Sequence, residues 1–265
     1  MNDVKNPFLE PNKTVAVVGY LLLYILGSSF ILLGFGMVYN FVTHTGLNLV
    51  ELSKLLSETD FPKIEVLYRK LYVFSNSIGN FMVYLLSFIV VAFFMRNYLK
   101  DDAKGLILDY KKLAWLIPVC AGVGFGLALL VDYGIGEAIH RTSANQSSIE
   151  VLIKNGGAVW MFFAVVIFAP IVEELIYRKA IFEYLKKFPI VLSYVVSTLL
   201  FTFPHMVTTF MDMEYTIAEK FLLCIPYLLS GVSLCVTYHL CNKNIYASWF
   251  FHFVNNLLSF IILCL

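Results

Sequence analysis

The chain has 265 residues, of which 60% are hydrophobic, 16% aromatic and only 14% charged, with a mean hydropathy of +0.79. Soluble domains carry about a quarter charged residues, and a water-soluble fold of this composition would aggregate, so the pattern points to an all-α, polytopic membrane protein. Nineteen basic and eighteen acidic residues leave a net charge of +1, which supplies no field for nucleic acid or for an acidic substrate.

In chain order, the N-terminal stretch MNDVKNPFLEPNK runs into a long apolar segment from Thr14 without a cleavage site. That segment reads as a retained span rather than a signal peptide. Apolar runs predict seven spans, at about 14–41, 73–95, 113–131, 158–185, 189–209, 217–241 and 245–265. An eighth span or a re-entrant segment would reverse the placement of the C-terminus. Residues 43–72 are expected to be a polar connection carrying an amphipathic surface helix through Leu52, Leu55, Leu56 and Leu67, and residues 132–157 a second connection rich in turn formers. No internal repeat is visible, so residues 1–265 read as one integral membrane domain.

Twelve of the nineteen Lys and Arg residues fall on the side of the N-terminus: Lys5, Lys13, Arg96, Lys100, Lys104, Lys111, Lys112, Arg178, Lys179, Lys186, Lys187 and Lys243. The positive-inside rule therefore places that side in the cytoplasm. The cluster from Arg96 to Lys112 is expected beside anionic headgroups. Cys120, Cys224, Cys235, Cys241 and Cys264 lack CxxC spacing and read as small apolar residues. Gly122, Gly124 and Gly126 follow no strand and read as helix-packing positions. Glu137 and His140 read as ordinary loop surface, and His239 as a residue that snorkels or caps at the end of the sixth span.

Ionisable residues are nearly missing from the cores of the first three spans but recur later: Glu173, Glu174 and Arg178 in the fourth, His205 in the fifth, His252 with Asn256 in the seventh. Such groups cost several kcal/mol at membrane depth, so they face the bundle interior and find partners. Glu173 and His205 each lie sixteen residues from Pro189. If the fourth and fifth spans form an antiparallel hairpin turning there, carboxylate and imidazole come level, about 24 Å of helix from the turn.

At about 100° per residue, Glu173, Glu174, Tyr177 and Arg178 form one polar stripe. Glu174 and Arg178 have the spacing of an i,i+4 ion pair, which reads as a structural anchor. Glu173 is left as a carboxylate available to act as a base. His252 and Asn256, four apart, offer donors suited to a developing oxyanion or to interhelical hydrogen bonds. Pro204 is expected to kink the fifth span beside His205.

Three short patterns then combine: EELIYR (173–178), FTFPH (201–205) and HFVNN (252–256). In this order and on separate apolar helices, they resemble the EExxxR, FxxxH and HxxxN motifs of the CPBP intramembrane proteases, the family of type II CAAX prenyl endopeptidases and bacteriocin-processing enzymes. The resemblance covers about 155–262, making that segment the protease core and 1–150 accessory spans. It implies that Glu173 is the general base for a water, that His205 positions that water, and that His252 and Asn256 hold the oxyanion. Glu174 and Arg178 would be supporting residues. No cofactor is implied; a zinc-dependent alternative would use Glu173, His205 and His252 as ligands, but the HExxH pattern of soluble zinc proteases is lacking.

The implied function is an intramembrane endopeptidase acting on a peptide precursor, such as a bacteriocin or pheromone leader, on a membrane protein, or on a CAAX-like C-terminus. The abundance of Lys, Asn, Ile and Phe is that of an AT-rich bacterial gene, which places the protein in a bacterial membrane. The alternative is a non-catalytic membrane regulator or immunity protein that binds a partner such as a sensor kinase. A transporter or proton relay is a third reading, weakened because the polar residues have no second copy in the N-terminal half.

Overall fold

The computed structural model describes residues 11–265 apart from residue 59; Lys5, counted above among the cytoplasmic charges, lies outside them. The described residues contain helices and no strand. We number the main helices α1 (Asn12–Thr43), α2 (Leu49–Leu56), α3 (Arg69–Leu108), α4 (Tyr110–Ile139), α5 (Ala144–Leu152), α6 (158–187), α7 (Ile190–Met211), α8 (Ile217–Leu240) and α9 (Ile245–Cys264). Seven stretches are long and apolar enough to cross a membrane: α1, α3, α4, the run from α5 through α6, α7, α8 and α9. In lipid only a helix or a closed barrel satisfies its own backbone groups, and these apolar runs take the first solution.

The turns between helices follow from local chemistry. Pro189 stands at the start of α7, where its missing N–H costs nothing, and the α6–α7 hairpin turns at Phe188–Pro189 as expected. Thr216 and Glu219 form a capping box at the head of α8, and Asn244 caps α9 through the Tyr246 N–H.

Residues 132–157 differ from the expected connection. α4 continues to Ile139, and α5 begins at once behind a Ser143 cap. Packing overrides the turn formers here: Ile135 and Ile139 pack beside Met206 and Leu223, while Ile149, Leu152 and Ile153 pack with Tyr72 and Met161. Glu137 is therefore helical and His140 is the left-handed C-cap of α4 at φ 53°, while both are exposed, as expected of ordinary surface. The break between α5 and α6 comes at Asn155–Gly156, where Gly156 takes φ 103°. Likewise, α3 extends well beyond 73–95 at both ends. The amphipathic helix in 43–72 is α2, with Leu52 and Leu56 buried, but Leu67 lies outside it and is exposed.

α6 is the centre of the bundle. It packs against α3, α7 and α9, while α8 packs against α4 and α7. Of the apolar window in the α5–α6 run, 61% of residues are buried, against 11% for α1. Val172, Leu175, Ile176 and Phe182 of α6 share one core with Phe201 of α7, Tyr238 of α8 and Phe251 of α9. Of the three glycines of AGVGFG, only Gly124 is a packing position, because a side chain there would overlap the Phe251 ring; Gly122 and Gly126 face open space. Cys224, Cys235 and Cys241 are buried, Cys120 is partly buried and Cys264 exposed, all as free thiols.

Candidate functional site

Glu173 sits on the single α-helical turn Ala169–Glu174, between two π-helical stretches, Phe162–Phe168 and Leu175–Phe182. π-Turns recur at functional positions because they displace side chains from the α-helical register. The four residues of the expected stripe meet different surroundings. Glu173 faces a cavity; Glu174 and Arg178 lie behind it; Tyr177 packs edge-on against Tyr20 and Phe201.

The two oxygens of Glu173 have different surroundings. Oε1 accepts a hydrogen bond of 3.1 Å from the Tyr84 hydroxyl of α3. Oε2 lies 3.8 Å from His205 Nε2 and 3.8 Å from His252 Nε2, and makes no hydrogen bond to the described residues. Glu173 and His252 are buried, whereas His205 keeps 21% of its side chain exposed. Separations of 3.8 Å are too long for direct hydrogen bonds but suit bridging through one oxygen.

Glu174 and Arg178 are both fully buried. Glu174 Oε1 lies 3.1 Å from Arg178 Nη1 and 3.1 Å from His252 Nδ1. A carboxylate only accepts, so His252 Nδ1 carries a proton and its Nε2 is turned toward Glu173. Arg178 is held further by the Gly231 carbonyl, 3.2 Å from Nη2, and by the Phe201 ring, 4.7 Å from the guanidinium. Gly231 permits this approach of α8, because a side chain there would press on Thr198 and Phe201. The pair anchors α6 as expected; its contact with His252 was not legible from spacing along one helix.

Asn256 lines the same cavity, but its Nδ2 donates to the Val165 carbonyl at 2.8 Å. The backbone explains why that carbonyl needs a partner. Ala169 N–H bonds back five residues to Ala164, and the next residue, Pro170, has no N–H to give to Val165. A buried orphan carbonyl is costly, and Asn256 removes the cost.

Aromatic rings fix both imidazoles. His205 stacks on Tyr227 with centroids 5.0 Å apart and planes 11° from parallel, and Phe201 touches His205 and His252 at 5.0 and 5.6 Å. The Tyr227 hydroxyl pairs with Ser143 Oγ at 2.7 Å, tying His205 to the head of α5. α7 is one continuous helix through Pro204. The cavity holds about 280 Å³ and runs from Glu173 past Tyr227 to Thr142, Gln146 and Asp132. Phe201 opens the FTFPH pattern, whereas Tyr84 and Tyr227 were not singled out in the sequence; a tyrosine in an apolar span carries no periodic signal that separates it from packing residues.

Residues 155–258 match a family model described as Type II CAAX prenyl endopeptidase Rce1-like. The chain carries an Rce1-like domain. No curated protein and no solved structure matches the chain. The Rce1-like segment runs from the α5–α6 break into α9 and contains Glu173, Glu174, Arg178, His205, His252 and Asn256. Tyr84, on α3, lies outside it yet bonds Glu173. The seven apolar helices make this an integral, multi-pass membrane protein, and its segment 155–258 is similar to CAAX-type endopeptidases. Among the described residues, no group of three or more His, Cys, Asp or Glu side chains is disposed to hold a metal ion.

His239, expected to snorkel or cap at the end of the sixth span, pairs through Nδ1 with the Tyr194 hydroxyl at 3.0 Å, linking α8 to α7.

Proposed function

We propose that the protein hydrolyses a peptide bond of a membrane-associated polypeptide with a water held between Glu173 and His205. The observation that supports this reading is one buried carboxylate oxygen equidistant, at 3.8 Å, from two imidazole nitrogens on the wall of a cavity. Glu173 takes a proton from the water as its oxygen attacks the scissile carbonyl carbon. The carbonyl π-electrons move onto oxygen, giving a tetrahedral oxyanion. Collapse breaks the C–N bond, and the proton held by Glu173 passes to the departing amine. The products are a carboxylate and an amine, and no redox partner is involved.

His205 orients the water from a ring clamped between Tyr227 and Phe201. His252 and Asn256 receive the oxyanion. With Nδ1–H committed to Glu174, His252 donates from Nε2 only when the ring carries both protons, so Glu174 is the counter-charge for that state. Asn256 has one N–H on Val165 and a second to offer. With Glu173 and His252 buried, these dipoles act strongly and need little rearrangement.

The substrate classes in view are a peptide precursor such as a bacteriocin or pheromone leader, a membrane protein, or a CAAX-like C-terminus. With the N-terminus in the cytoplasm of a bacterial cell, the cavity mouth at the α4–α5 corner faces the opposite side of the membrane.

The deciding experiment incubates purified protein and its Glu173→Gln variant with membrane peptides and reads new termini by mass spectrometry. Products formed by the parent chain and lost in the variant support proteolysis. A cellular phenotype that survives Glu173→Gln at equal expression supports the regulator or immunity alternative instead. A chelator is expected to leave cleavage unchanged; loss of cleavage restored by zinc would replace the metal-free mechanism.

A further inference from the structure

The two imidazoles of the site are held in different ways, and the difference bears on how the site is assembled, given that it is proteolytic as proposed. His252 is anchored through Nδ1 on Glu174. His205 is held by ring contacts instead: it lies flat on Tyr227, with planes 11° from parallel, and leans on Phe201. The Tyr227 ring thereby sets the plane of the imidazole whose Nε2 faces Glu173. What holds Tyr227 comes from another helix. Its hydroxyl pairs at 2.7 Å with Ser143 Oγ, and Ser143 is the residue that caps α5. Pro226, the preceding residue, leaves α8 one backbone hydrogen bond short at that turn, so α8 alone constrains the ring less than an unbroken helix would.

Of the cavity's walls, α5 is the one most readily displaced. It is nine residues long, and Ser143, Gln146, Ile149 and Leu152 line the cavity. Left-handed residues bound it, His140 at φ 53° and Gly156 at φ 103°. Its head is fastened by polar contacts that water can replace: the Ala144 N–H donates to Thr209 Oγ1 at 2.9 Å, and the Tyr215 hydroxyl donates to the Thr142 carbonyl at 2.9 Å. Apolar packing holds the tail, through Leu152 and Ile153. A segment with few buried apolar contacts opens at low free energy. The cavity's volume of about 280 Å³ lies just below the usual range for bound ligands, about 300–1,000 Å³, so a polypeptide needs a wall to move.

We infer that Tyr227 is a positioning residue for His205, and that its pairing with Ser143 makes a seated α5 the condition for that position. Admission of a polypeptide lifts the head of α5 about Asn155–Gly156 and releases the Tyr227 hydroxyl. Reseating clamps the ring again and aligns His205 with the water. The site is then complete only when closed over its substrate.

The test uses the full chain in detergent micelles and a synthetic peptide of about twenty residues that the parent chain cleaves and Glu173→Gln does not. Tyr227→Phe keeps the stacked ring and loses the latch. It should lower kcat by about fivefold, the worth of one hydrogen bond, with KM little changed. Ser143→Ala, which also loses the α5 cap, should be at least as slow, and the double variant no slower than Ser143→Ala alone, because both remove the same pair. Backbone amides of α5 should exchange hydrogen faster in both variants by the same factor, since exchange reads the open population. Tyr227→Phe with the parent's kcat, losses that multiply in the double variant, or a lower unfolding temperature with turnover per folded molecule unchanged each overturn the inference. If no peptide is cleaved, or cleavage persists in Glu173→Gln, the proteolytic reading fails, and modification by diethyl pyrocarbonate still decides the latch. Faster modification of His205 in both variants, with buried His252 unaffected, upholds it; parent-like rates at His205 sink it.

Discussion

Two glutamates ten residues apart on α6 have opposite surroundings. Glu183, near the turn into α7, has both oxygens engaged: Lys13 lies 3.1 Å from Oε2, Lys179 lies 3.3 Å from Oε1, and the Tyr238 hydroxyl donates to Oε1. Lys179 also pairs with Asp102 at 2.8 Å, and Asp102 accepts the Ile245 N–H at the head of α9. This network joins α1, α3, α6, α8 and α9 at one end of the bundle. Glu173, at mid-helix, has one oxygen held by a hydroxyl and the other turned to two imidazoles without a hydrogen bond. A carboxylate saturated by cations is a fastener; one with a spare oxygen on a cavity wall is available for chemistry.

Substitutions can break that contrast, and their expected effects fall in order. Glu173→Gln should lower turnover by about 10²–10⁴, the usual worth of a general base, while the unfolding temperature in detergent stays level or rises. A fall in stability as large as that of an α6 ion-pair variant would make Glu173 a fastener too. Arg178→Leu leaves Glu174 buried without its cation and should cost about 3–5 kcal/mol of stability, read as a lower thermal midpoint. Well-folded but inactive protein would instead give Arg178 a direct part in the reaction.

Tyr84→Phe removes a hydrogen bond to a charged oxygen and should lower turnover by about tenfold with little change in KM, since such bonds are worth about 1.5–3 kcal/mol. An unchanged rate would show that Oε1 needs no anchor from α3. The smallest effect on activity is expected for Glu183→Gln, which loosens the end network by about 1.5–3 kcal/mol and leaves activity per folded molecule unchanged. If activity falls with stability unaltered, the end network is coupled to the site.

The helical class and the seven spans were legible because lipid imposes one solution on apolar runs of sufficient length. The level placement of Glu173 and His205 was legible as well, because Pro189 marks the turn and both residues stand sixteen positions from it. Less was legible where helices depart from regular spacing. Glu173, Glu174, Tyr177 and Arg178 do not act as one stripe, since Glu173 lines the cavity while Glu174 and Arg178 pair behind it and Tyr177 packs on Tyr20 and Phe201. Residues 132–157 read as loop because their glycines and polar residues signal turns, and only packing against α7 and α8 makes most of them helical.

What the residues alone determined was the solvent, the number of crossings and which polar side chains must face inward, because burial of charge is too costly to be accidental. What only the folded bundle decided was who meets whom: Tyr84 on Glu173, Glu174 on His252, Asn256 on the carbonyl that Pro170 leaves unpaired. Those contacts join helices far apart in sequence, and no periodicity within a single helix encodes the partner across the gap.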